Sequence, residues 1–173
     1  MGKVYYLRGK AGSMTTISPV RTVTTIQNVA KTFLAFEPMT HKKLQKLCYY
    51  AYSWYLTLYK EKLFDEHFEA WIHGPVSPAL YSEYKQYGWK EIPKVDEVPE
   101  DILMNEDAYS LITEVYNSYG HLSGDDLEYL THQEDPWLVA RNGLPEYAPS
   151  NAKLNDQVIV NYYQKVFEEG QND

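Results

Sequence analysis

The segment from His41 to Lys60, HKKLQKLCYYAYSWYLTLYK, constrains the fold more than any other part of this chain. Thr40 can cap a helix here, and Leu44, Leu47, Cys48, Ala51, Trp54, Tyr55 and Leu58 recur at the i, i+3, i+4, i+7 spacing of one helical face. At 100° per residue, Tyr49, Tyr52, Leu56 and Tyr59 make a second apolar sector beside the first. Only Lys46, Ser53, Thr57 and Lys60 mark a polar strip. A surface helix needs an apolar arc of a little over ~100°, and this one covers roughly twice that. Such a helix is either wrapped by its own domain or holds a face ready for a partner. Tyrosine, amphipathic and common at interfaces, keeps both readings open. Burial of Tyr49, Tyr52, Leu56 and Tyr59 decides between them.

The neighbouring pattern predicts a mainly α fold: a compact bundle of about six helices with a small β-hairpin between the second and third. Thr25 caps a first helix with Ile26, Val29, Ala30, Phe33 and Leu34 on one side, ended by Pro38. Phe68, Ala70 and Ile72 alternate with Glu69 and Trp71 as in a half-buried strand, and Leu63-Phe64 offers a partner strand through an Asp65-Glu66 turn. Gly74-Pro75 then reads as a break. Ser77 caps a third helix with Pro78 in its first turn and Gly88 at its end. A loop over 89–99 with a brief strand around Ile92 leads to a fourth helix over about 100–119. Ser123 and Asp126 form an acidic capping box for a fifth helix. Asp135-Pro136 starts a short helix carrying Trp137 and Ala140, and a last helix spans about 154–168 through Val158, Ile159, Tyr162 and Val166. Residues 25–169 read as one helical domain. Residues 1–24 read as an N-terminal extension, of which 1–13 have the look of a cloning remnant or an upstream start. Residues 15–24 form an extended lead-in.

The chain has 173 residues and a formal net charge of −8. That acidity favours basic partners and disfavours general nucleic-acid binding, which depends on Lys and Arg neutralising phosphates. No run approaches the ~20 apolar residues of a membrane span, and no signal-peptide pattern opens the chain, so a cytoplasmic location is expected. The single cysteine, Cys48, falls on an apolar helix stripe and suits a reducing compartment. The five histidines, His41, His67, His73, His121 and His132, are scattered, with neither HExxH nor CxxC spacing. A cation at His132-Gln133-Glu134-Asp135 competes with a simpler role for Asp135 as a helix cap. No glycine-rich phosphate cradle and no G-x-S-x-G elbow occurs. The expectation is a protein that is not an enzyme and uses no cofactor and no metal, with an uncharacterised metal or hydrolytic enzyme as the minor alternative.

Several short motifs occur in a telling order: Lys43-Leu44-Gln45-Lys46-Leu47, Tyr49-Tyr50-Ala51, Trp54-Tyr55, Phe64-Asp65-Glu66, Glu69-Ala70-Trp71, His73-Gly74-Pro75-Val76, then Tyr81 and Tyr84, Leu130-Thr131-His132, and Glu134-Asp135-Pro136-Trp137. Over about residues 25–141 the set resembles the Panacea-domain family, also called SocA-like or GepA-like phage-associated proteins. Cys48 stands where leucine is commoner, and the N-terminal extension is unusual. The resemblance implies a bacterial or phage antitoxin that binds a cognate protein toxin encoded nearby, with a basic toxin suiting the acidic charge. One branch of the family implies an alternative role as an adaptor delivering its toxin to a Clp-type protease. Leu44, Gln45, Trp54, Gly74, Pro75, His132, Asp135, Pro136 and Trp137 carry the family motifs and read as structural. The residues proposed to touch the toxin are Tyr49, Tyr52, Leu56, Tyr59 and Trp71. Homo-oligomerisation is open, and neither membrane nor nucleic acid is an expected partner.

Overall fold

The computed structural model describes residues 22–172, so residues 1–13 and most of the expected lead-in over 15–24 lie outside the described part. Thr25 caps α1 (Ile26–Phe36) by accepting from the Asn28 N–H, and the chain turns at Pro38 into β1 (Met39–Thr40). Thr40 caps α2 (His41–Tyr59), which Lys60 terminates in a left-handed conformation. Then come β2 (Glu69–Trp71), β3 (Gly74–Val76), α3 (Pro78–Tyr84) with a 3-10 turn over Lys85–Tyr87, and β4 (Glu91–Ile92). The rest is helical: α4 (Glu100–Leu103), α5 (Glu106–Tyr119), α6 (Gly124–Thr131), α7 (Asp135–Arg141) and α8 (Asp156–Gln171). The fold is mainly α, as the sequence pattern predicts.

α2 is the axis of the molecule. α8, α5, α6, α1, α3 and β3 all pack against it. Lys46, Ser53 and Thr57, expected on a solvated strip, are buried with the apolar sectors, so the helix is enclosed all round. Thr57 manages this by donating back to the Ser53 carbonyl at 2.7 Å. A helix enclosed on every side belongs to a core, not to a surface stripe.

Four local expectations are corrected. The hairpin forms forward, not backward: Glu69, Ala70 and Trp71 pair with Val76, Pro75 and Gly74, across a turn at Ile72-His73. Leu63 and Phe64 are buried coil, and the Leu63 carbonyl accepts from the Thr24 N–H. Pro75 is tolerated in β3 because its ladder position faces away from β2. Its partner Ala70 donates outward to the Ala152 carbonyl at 2.8 Å, so no bond is lost where proline lacks an N–H. Gly74 is needed twice over: its φ is +98°, and a Cβ there would sit 2.6 Å from Lys46 Cε and 2.8 Å from Thr131 Oγ1.

The expected fourth helix is two, because Asn105 caps α5 by accepting from the Ala108 N–H. α7 is capped by Glu134 rather than Asp135, without a side-chain bond, since the Glu134 carboxyl turns inward. α8 runs to Gln171 and buries Tyr163, while Tyr162 is only half-buried. β4 is real, and its partner is β1: Met39 faces Ile92 and Thr40 faces Glu91.

Candidate partner-binding site

The aromatic sectors of α2 are occupied from within. Tyr49 is 1% exposed, and its hydroxyl lies 3.0 Å from the Tyr163 hydroxyl on α8. Tyr52 is buried against Phe64 and Phe68 and donates to Asp156 at 2.8 Å. Leu56 is buried. Tyr59 is half-buried, stacked on Tyr55 at 4.6 Å between ring centres. Trp71 is half-buried on β2, with its indole N–H on Glu69 and its ring against Tyr81. Of the five expected contact residues, only Tyr59 and Trp71 retain appreciable exposure. Tyr49, Tyr52 and Leu56 are covered by this chain's own elements.

A buried polar network runs through that core. Tyr50 donates to Glu134 at 2.7 Å, Tyr163 donates to the same oxygen at 3.1 Å, and Trp54 donates to the Tyr119 hydroxyl at 3.0 Å. Tyr50 and Tyr119 stack face to face at 4.1 Å. Burial raises Glu134 to a pKa of about 7, against the two hydroxyl bonds that favour its ionised form. Lys46, under the hairpin, has one hydrogen bond, to the Pro75 carbonyl at 3.3 Å. Burial lowers its pKa to about 7, opposed by Glu128 and reinforced by Lys42. Burial also raises the Cys48 thiol well above its ordinary value, which leaves it protonated and unreactive.

The other motif residues fall into two clamps. Gln45 holds the start of α3, donating to the Ser77 carbonyl at 3.1 Å and accepting the Ser77 N–H at 2.9 Å. Leu44 and Trp54 are core residues. The second clamp is built from α7. Trp137 donates to the Trp71 carbonyl at 2.8 Å and stacks on His132 at 4.0 Å. Pro136 is buried while Asp135 stays exposed.

Arg141 is 2% exposed and donates to the carbonyls of Ala70, Pro145, Glu146 and Ala148, which ties residues 145–148 to β2. Sequence reading misses Arg141 because its acceptors are backbone carbonyls, which leave no mark on residue type. Among the described residues, no group of three or more His, Cys, Asp or Glu side chains is placed to hold a metal ion.

Outside these clamps the surface changes character. Tyr129 on α6, Leu138 and Val139 on α7, and Leu144 and Tyr147 beyond it are all exposed, from 44% at Leu138 to 81% at Tyr147. A groove of about 320 Å³ opens between Tyr129, His132, Gln133, Trp137, Leu138, Leu144 and Glu146. Leu138 and Val139 are left facing outward because Trp137 and Arg141 occupy the inward positions of α7.

Residues 44–138 match the family described as Antitoxin SocA-like, Panacea domain. The chain belongs to this family. It is similar to Antitoxin SocA of Caulobacter vibrioides (strain NA1000 / CB15N), 29% identical over 133 residues that cover 70% of each chain. No solved structure matches. The Panacea match runs from the first turn of α2 to Leu138 on α7, and so includes both clamps except Arg141 and residues 145–148. It omits α8, although α8 supplies Tyr163 to the core of the matched region. Membership in an antitoxin family implies a toxin partner in general, and among the described residues no helix is long and apolar enough to cross a membrane.

Proposed function

We propose that this chain is an antitoxin that neutralises a cognate protein toxin by binding it directly and occluding its working surface. The observation that carries this reading is the match of residues 44–138 to the SocA-like Panacea domain, supported by the relative named Antitoxin SocA. Residues 25–169 act as one binding unit on this reading, because α2 lies in the centre of both the matched part and the C-terminal helix packing. The chain works by association rather than by chemistry, and its net charge of −8 favours a basic toxin through long-range attraction.

Co-expression with the protein encoded beside it tests the proposal. Restored growth and a co-purifying complex are the expected results. An adjacent gene product that stays toxic and unbound in the presence of this chain would reject it.

A further inference from the structure

The tyrosines of α2 leave the question of where a toxin would dock, and the outer face of α6 and α7 carries the answer furthest. Its apolar residues are incompletely covered by the described chain: Tyr129, Leu138, Leu144 and Tyr147 are exposed around the groove or on the adjoining loop. Contiguous exposed apolar surface on a folded domain marks an interaction site far more often than scattered single residues do. The other large exposed apolar side chains, such as Trp89 and the Leu103-Met104 pair, lie on separate elements.

The charge around this face has one sign. Between residues 124 and 150 the acids outside the core are Asp125, Asp126, Glu128, Asp135 and Glu146, since Glu134 turns inward, and Arg141 is the lone Lys or Arg. Arg141 is buried on backbone carbonyls and presents no positive charge outward. Lys42 reaches this region from α2, but it is paired with both Asp125 and Glu128. Glu146 lines the apolar groove and Asp135 lies one helical turn before Leu138, and among the described residues neither is paired with a Lys or Arg. His132 approaches Glu146 at 3.2 Å through Nδ1, while its Nε2 is buried without a partner.

The face is also firmly built. Trp137 and Arg141 bind α7 and residues 145–148 to the backbone of β2, so the groove is preformed rather than assembled on binding. We infer that the α6–α7 face with residues 142–147 is the toxin-docking surface, and that it takes a cationic segment of the toxin anchored by apolar side chains. This inference rests on the antitoxin reading proposed above. Leu138, Leu144 and Tyr147 provide the apolar anchors, and Asp135 and Glu146 meet the toxin's Lys or Arg side chains.

The experiment measures binding of the adjacent-gene protein to the wild-type full chain, to Leu138→Glu, to Tyr147→Ala, to the charge reversal Asp135→Lys with Glu146→Lys, and to Leu103→Glu on α4. Unfolding midpoints are recorded for each. The expected result is binding at least ~10-fold weaker for Leu138→Glu and for the charge reversal, with binding by the Leu103→Glu control unchanged and every variant shown by its midpoint to be folded at the assay temperature. Added salt should weaken wild-type binding and leave the charge-reversed variant less affected.

If the wild type does not bind, the antitoxin reading itself fails and the inference falls with it. If the wild type binds and the face variants bind equally well, the antitoxin reading stands and the docking surface is overturned. Residues 1–21 contain Lys3, Arg8, Lys10 and Arg21 and no acid, so they are the competing occupant. Face variants that lower the midpoint as much as deletion of 1–21 does, while toxin binding is kept, would overturn the inference in favour of that segment.

Discussion

Two sets of tyrosines sit in this molecule under opposite physical regimes. Tyr49, Tyr50, Tyr119 and Tyr163 lie in the core, where every ring is enclosed and each hydroxyl is near another polar group. Tyr129 and Tyr147 are 69% and 81% exposed on the α6–α7 face. The same residue type serves as a large core filler with a polar handle in one place and as an open contact surface in the other. Abundance of tyrosine on a helix therefore does not locate a binding face. The environment built by other elements does.

The comparison can be broken most forcefully from the inside. Trp54→Ala removes an enclosed indole and its bond to Tyr119, and should cost about 3–5 kcal/mol in chemical denaturation. A cost below about 1 kcal/mol would mean the α2 aromatics are not core. Gly74→Ala forces a Cβ onto Lys46 and Thr131 at a positive φ, and should cost about 2–3 kcal/mol.

The buried ionisable groups sharpen the same contrast through pH. Glu134 has a folded pKa of about 7, raised from 4.5, so its stabilising contribution is full below about 4.5 and is lost as pH rises through 7. Lys46 has a folded pKa of about 7, lowered from 10.5, so its contribution is full above about 10.5 and is lost as pH falls through 7. Glu134→Gln should flatten the fall in stability between pH 4.5 and 7. Lys46→Met should flatten the rise between pH 7 and 10.5. Denaturation midpoints that keep the wild-type pH slope in both variants would contradict the burial of these groups.

Smaller effects follow at the edges. Tyr163→Phe removes a donor to Glu134 and a partner of Tyr49, and should cost about 1–2 kcal/mol. Tyr147→Ala, on the outer face, should change stability by less than about 0.5 kcal/mol, because the side chain is already 81% exposed.

Much of the fold was legible because caps and periodicity are local. Thr25, Thr40, Ser77 and Ser123 each cap the helix that the pattern predicts. What failed was long-range. The hairpin partner of Glu69–Trp71 depends on Pro75 facing away from the ladder, a register fact that composition does not carry. The break at Asn105 was marked only by Asn105 and Glu106 standing at the i+3 and i+4 positions after Ile102, a two-residue gap in the stripe that resumes at Ala108. The inward turn of Glu134 required knowing that Tyr50 and Tyr163 converge from two helices far apart in sequence.

Candidate contacts suffered the same limit. The surplus of apolar surface on α2 was real, but α8 and the Leu63–Phe68 coil cover it, and neither was placed against α2 by local pattern. The exposed residues of α7 follow from Trp137 and Arg141 claiming the inward positions, a division visible only once β2 and residues 145–148 are in place.

Amide hydrogen exchange of the full chain, alone and with the protein encoded beside it, tests the contrast most directly. The account predicts new protection within residues 129–147 on complex formation and no change along α2, whose amides are already shielded by its neighbours. New protection confined to α2, or to any surface that excludes residues 129–147, would contradict it.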